Sequence, residues 1–161
     1  MTTQIPAAVI ACAQAGQKTW HIPASVSIAQ WALESGWGAH ESGKWNYGGI
    51  TAKVTGAVFP YQPGKPLEPA TLCWTHEEVN GQVVKCQRWF KDYTGPEAFF
   101  DAHAKLLATG VDYAAARAAL PDVAKFIDLM AVHYATASGY ADLLHSIIRA
   151  HNLTQYDLVT A

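Results

Sequence analysis

The residues of this chain best suited to chemistry are carboxylates, and the most conspicuous is Glu34, in the string Ala29-Gln30-Trp31-Ala32-Leu33-Glu34-Ser35-Gly36-Trp37-Gly38. A carboxylic acid set among apolar neighbours loses hydration, which penalises its charged form and raises its pKa toward values where it can deliver a proton near neutral pH. Leu33 and Trp37 are such neighbours. A second acidic pair, Glu77-Glu78, stands just before Asn80-Gly81. Two carboxylates in different environments can protonate a leaving group and activate water or stabilise positive charge. The plainer readings are a solvated helix face for Glu34 and solubilising turn charges for Glu77 and Glu78. Other chemistries have less to work with. His76, His103, His133 and His145 form no ligand motif such as HExxH, and Cys12, Cys73 and Cys86 form no CxxC, so no metal or cofactor is expected.

The element that must position Glu34 is a helix. Pro23 suits a first turn, the run Ala24 to Ser35 is long enough for about three turns, and Gly36 is a natural left-handed stop. Val26, Ile28, Ala29, Trp31, Ala32 and Leu33 leave few sides polar, which predicts burial on most faces. Ser27, Gln30 and Glu34 share one stripe, a candidate groove floor. Ahead of it, Gln4 to Trp20 reads as an amphipathic helix with Ile5, Val9, Ile10 and Ala13 inward, packed beside the Glu34 helix.

After Gly38 the helical pattern stops. Glycines punctuate short runs such as Ile50 to Val54 and Gly56 to Phe59, the composition of a small strand-and-turn lobe. Pro60, Pro63, Pro66 and Pro69 recur at every third position, which predicts an extended, polyproline-like surface loop. Strand-like residues from Thr71 to Phe90 flank Asn80-Gly81, a strong hairpin signal. In that hairpin Cys73 and Cys86 fall two residues out of register, so free thiols are expected. Beyond it Thr94, Pro96 and Glu97 read as a capping-box helix start. Three apolar stripes follow: Phe99, Phe100, His103, Leu106 and Leu107; Val123, Phe126, Ile127 and Met130; Tyr140, Leu143, Leu144, Ile147 and Ile148. All three are read as core.

The bulk properties narrow the class. With 161 residues, 50% hydrophobic and 15% charged, the chain is expected to be one globular domain, 1–161, with helical parts at about 5–38 and 94–153 and a β lobe at about 46–92. A net charge of -2 without a basic cluster argues against nucleic acid or an anionic membrane as partner. No run of about 18 apolar residues suggests a membrane span, and Met1 to Pro6 do not look like a secretory signal. Six tryptophans and seven tyrosines exceed ordinary needs; most fill core, but such rings also make platforms for sugars.

The string Pro23 to Gly38, followed by Asn46-Tyr47-Gly48-Gly49-Ile50, resembles the glucosaminidase family of peptidoglycan hydrolases, which includes autolysins and flagellar rod hydrolases. The likeness continues in Thr75-His76-Glu77, Asn80-Gly81, Phe90-Lys91-Asp92-Tyr93, Tyr134-Ala135-Thr136 and Gly139-Tyr140-Ala141, in the family's order and over most of the chain. It departs where the family commonly has Asn-Leu-Phe-Gly-Ile at 46–50 and Asp-Pro after Thr136, which bears on subsite preference.

The resemblance implies an α+β, lysozyme-like fold, mainly helical with a small β-hairpin lobe flanking a groove. It implies cleavage of the β-1,4 bond after N-acetylglucosamine in peptidoglycan glycan strands, with a muramidase, a lytic transglycosylase or a non-catalytic wall-binding module as alternatives. Glu34 takes the role of general acid. Glu77, rather than Glu78, falls on the family's second acidic position, although the substrate's own acetamido group could serve instead. Tyr134, Trp37, Asn46, Tyr47 and Gln30 are expected to hold the sugar or water. The expected partner is the wall glycan, met by a monomer that is either made in the cytoplasm and reaches the wall as a phage-like lysin or virion component, or is an excised domain of a larger autolysin.

Overall fold

A computed structural model of the chain describes residues 4–135 and 137–159. The chain divides into two compact units: a helical unit up to Trp37 and again from Phe100 on, and a β unit from Gly38 to Phe99. The architecture is α+β, and the element order is helices, strands, helices.

In the helical unit, α1 (Ala7–Trp20) packs against α2 (Ala24–Ser35). Helix α1 starts later than the pattern from Gln4 predicts, because Pro6 adopts an extended ψ of 135° and takes the cap position. Helix α2 has the predicted limits, from the cap residue Pro23 to Gly36 in the left-handed region at φ 56°. Every α2 residue from Ala24 to Ala32 is buried, including Ser27 and Gln30, so the polar stripe is internal and only its last member, Glu34, reaches the surface. Asp157 anchors the start of α2 by accepting from Ser25 N and Oγ at 2.7 and 2.8 Å.

Helix α3 (Pro96–Thr109) leads from one unit into the other. The Gly95 carbonyl accepts from Phe99 N, which makes Gly95 and not Thr94 the cap residue. A short 3₁₀ turn (Val111–Tyr113) and α4 (Ala114–Ala119), neither foreseen in the sequence, precede α5 (Val123–Tyr134). Helix α6 (Tyr140–Ala150) and a 3₁₀ turn (Leu153–Tyr156) follow. Phe100, Leu107, Phe126, Ile127, Met130 and Leu144 are sealed in the core, as the stripes predict, whereas Leu106 and Leu143 stand exposed. Each lies one position before a core leucine, about 100° around its helix.

His103 on α3 is buried at 2% exposure, and that burial pushes its pKa down from 6.5 to about 4. The unfolded chain therefore binds a proton that the folded chain refuses between those values. Stability contributed by neutral His103 is present above pH 6.5 and is lost as pH falls toward 4. The expected loss reaches about 3 kcal/mol. Urea unfolding of wild type and His103→Gln between pH 7 and 4 should show a shallower pH slope in the variant.

In the β unit, β3 (Ala70–Val79) and β4 (Gln82–Lys91) form the predicted antiparallel hairpin. Asn80 and Gly81 turn it with φ of 53° and 76°. Cys73 pairs with Arg88 and Cys86 with Thr75, the two-residue offset expected. The short strands β1 (Val54–Thr55) and β2 (Lys65–Pro66) form a separate ribbon. The proline segment is not a continuous extended loop. Val58 and Gln62 bond to each other across a tight turn, and β2 pairs with β1, so local hydrogen bonding overrides the every-third-residue proline pattern. Gly64 is required there: at φ 74°, an added Cβ would lie 2.5 Å from the Thr55 carbonyl oxygen.

Candidate active site

Glu34 is the penultimate residue of α2, and the helix is fixed at both ends, by Asp157 at its start and by the left-handed turn Gly36-Trp37 at its finish. Glu34 is exposed as a residue, yet its carboxyl end is surrounded closely enough that lost hydration raises its pKa above the ordinary 4.5. A hydrogen bond from the Tyr140 hydroxyl to Oε1, 2.8 Å long, opposes that rise by stabilising the carboxylate. Because the shift is one of partial burial, the group still exchanges protons with solvent.

Behind this pair lies Gln30, one helical turn before Glu34 and 1% exposed. Its Nε2 donates to the Tyr140 hydroxyl at 3.0 Å and approaches Met130 Sδ at 3.7 Å. Its Oε1 is buried with no partner among the described residues, a cost of about 1–3 kcal/mol. Burial drives the Tyr140 pKa far above 10, so its hydroxyl keeps its proton. The Tyr140 ring stacks on Tyr134 at 5.7 Å with planes 12° apart, and His103 meets the other ring edgewise at 5.9 Å.

The helical unit thus brings together Glu34, Gln30 and Tyr134 from the sequence expectation, and adds Tyr140. Gln30 lies beneath Glu34 with its amide turned inward, which makes it a support and not a direct sugar ligand. Tyr140 stands in the sequence as a member of an apolar stripe and of the Gly139-Tyr140-Ala141 string, with no role at the site expected of it. The signal that marks it is chemical: a buried tyrosine needs a hydroxyl partner, and that partner lies 106 residues away. Trp37, half-buried, packs edge-on against Trp31 at 6.1 Å and lies 4.5 Å from the His151 ring.

The β unit holds the remaining expected residues. Asn46 is fully buried. Its Nδ2 donates to the Ile50 and Lys91 carbonyls, each at 2.8 Å, and its Oδ1 accepts from Ile50 N at 3.1 Å and Gly48 N at 3.4 Å. With its amide spent on backbone, Asn46 shapes the 46–50 loop and has nothing left to offer a sugar. Tyr47, half-buried, sets its ring edgewise to Phe99 at 5.5 Å. Glu77 shares a hairpin face with Arg88 and pairs with it at 3.3 Å, both side chains about a third exposed; Glu78 points to the opposite, exposed face. Thr136 of the Tyr-Ala-Thr string lies outside the described residues.

No group of three His, Cys, Asp or Glu side chains among the described residues could hold a metal ion, and no helix among them is long and apolar enough to cross a membrane. A cavity of 400 Å³ in the helical unit is lined by residues including Gln17, Pro23 and Asp157, and one of 130 Å³ in the β unit by Phe59, Arg88 and Trp89 among others. Neither includes Glu34. The environment of that carboxylate defines the site more directly than either hollow.

Residues 10–153 match the family model of the glucosaminidases, described as mannosyl-glycoprotein endo-β-N-acetylglucosaminidase. The chain belongs to the glucosaminidase family. This glucosaminidase domain is 32% identical to an autolysin of Enterococcus faecalis over 96% of its own length, but it spans only 21% of that protein. Its fold is similar to the catalytic domain of the autolysin Auto from Listeria monocytogenes, with a TM-score of 0.76 and 26% identity over 93% of this chain and 84% of that one. A peptidoglycan hydrolase mutant from Sphingomonas sp. A1 gives a TM-score of 0.72 at 26% identity, covering 92% and 94% of the two chains. The glucosaminidase domain has the α+β, lysozyme-like fold of these glycoside hydrolases.

Proposed function

We propose that this domain hydrolyses peptidoglycan at the β-1,4 bond following N-acetylglucosamine, with Glu34 as general acid. The observation that carries the proposal is the state of one carboxyl group: partly dehydrated, so that it holds a proton above its ordinary range, and oriented through Oε1 by Tyr140. With Oε1 accepting, the transferable proton resides on Oε2. Delivered to the glycosidic oxygen, it lets the leaving sugar depart as a neutral alcohol while positive charge develops on the ring. Glu77 is the second carboxylate, stabilising that charge or activating water. Tyr134, Tyr47 and Trp37 supply ring faces and hydroxyls to the sugar, while Asn46 and Gln30 act from behind. The autolysin and hydrolase relatives support wall glycan as the substrate.

Purified peptidoglycan digested with the protein, reduced with borohydride and resolved by mass spectrometry, tests the bond assignment. Reduced N-acetylglucosamine ends are expected. Reduced muramic acid ends would make the protein a muramidase, and anhydro-muramic ends a lytic transglycosylase. Digestion with Glu77→Gln separates its role from assistance by the acetamido group: undiminished turnover would remove Glu77 from the mechanism.

A further inference from the structure

Gln30 is neither in contact with solvent nor fully satisfied, and an apolar side chain of similar shape would fill its place without an unmet acceptor. What it does provide is direction. The Tyr140 hydroxyl has one proton, and Gln30 Nε2 occupies its acceptor side at 3.0 Å, so that proton is aimed at Glu34 Oε1. We infer that Gln30 is a positioning residue that acts through Tyr140 to fix which oxygen of Glu34 carries the catalytic proton. This rests on Glu34 being the acid.

The three groups form one polarised line, amide to hydroxyl to carboxyl, in which each bond strengthens the next. Shortening the line weakens the hold on the carboxylate and raises the Glu34 pKa. Other titratable groups facing it do not compete. Tyr140 stays protonated, Tyr134 stacks on it from α5, and His103 behind Tyr134 is held neutral above about pH 4. Asp157 sits at the opposite end of α2, on Ser25.

The test follows the Glu34 carboxyl carbon by ¹³C NMR across pH, its signal assigned by loss in Glu34→Gln, together with kcat and KM. Tyr140→Phe should move the midpoint up by about one unit. Gln30→Leu should move it up by roughly 0.3 unit, about twofold in the ionisation equilibrium. In Gln30→Leu kcat should fall while KM holds. Gln30→Met, which preserves length and flexibility, gives the same readings should the leucine variant fail to fold. An unmoved or lowered midpoint in the folded Gln30 variant overturns the inference. So does a raised KM with unchanged kcat, which would make Gln30 a sugar ligand. Full activity in Glu34→Gln would sink the proposed mechanism instead, and the titration would still report on the hydrogen-bonded line.

Discussion

Replacing Glu34 by glutamine should lower peptidoglycan cleavage by roughly 10²- to 10⁴-fold, the usual contribution of a positioned general acid. The amide keeps the shape of the carboxyl and can still accept from Tyr140, but has no proton to give. Loss of activity should come without loss of stability. Burial holds the Glu34 pKa above 4.5, so between that value and its folded pKa the native state binds more protons than the unfolded chain. The native state consequently loses stability as pH rises through this interval, and Glu34→Gln removes that loss. Thermal unfolding at pH 7 should place the variant at or above wild type, while release of reducing ends from peptidoglycan collapses. A variant that unfolds earlier and cleaves in proportion would show Glu34 to be a structural group.

Asn46→Ala should produce the opposite pattern. The change deletes four hydrogen bonds from a fully buried side chain and takes a partner from the Lys91 carbonyl and from the Ile50 and Gly48 amides, while the Ile50 carbonyl keeps its bond from Lys91 N. Even with water or local movement meeting some of them, a loss of about 3 kcal/mol or more is expected. That corresponds to a melting temperature lower by roughly 6–12 °C for a domain of this size. Circular dichroism on heating measures it. If Asn46 were chiefly a sugar ligand, Asn46→Ala would melt with wild type and raise KM alone.

How much of this was readable in the sequence depended on the range of each interaction. The limits of α2 were legible because Pro23 and Gly36 act on their own backbones. The hairpin was legible because Asn80-Gly81 chooses its turn locally and the turn sets the register of ten residue pairs. Pairings made at a distance were not. Ser27 and Gln30 read as part of a groove floor facing a ligand, since nothing near them in the chain announces the tertiary neighbours that bury them. Asn46 looked available to a ligand for the same reason: its partner Lys91 is 45 residues on. The proline spacing misled because a repeat of rigid residues describes an isolated strand of chain, and here β1 and the 58–62 turn compete for the same segment.

Asp157 gives the chain a temporal order. It caps α2 from 132 positions downstream, while Gln17 on α1 bonds to the backbone of Leu158 through both its Oε1 and Nε2. During synthesis α2 can coil early, but its first turn is not locked until the segment carrying Asp157 has left the ribosome. The first turn of the helix that bears the acid is therefore fastened late, and a nascent chain arrested before residue 157 should carry Glu34 on an unfastened support.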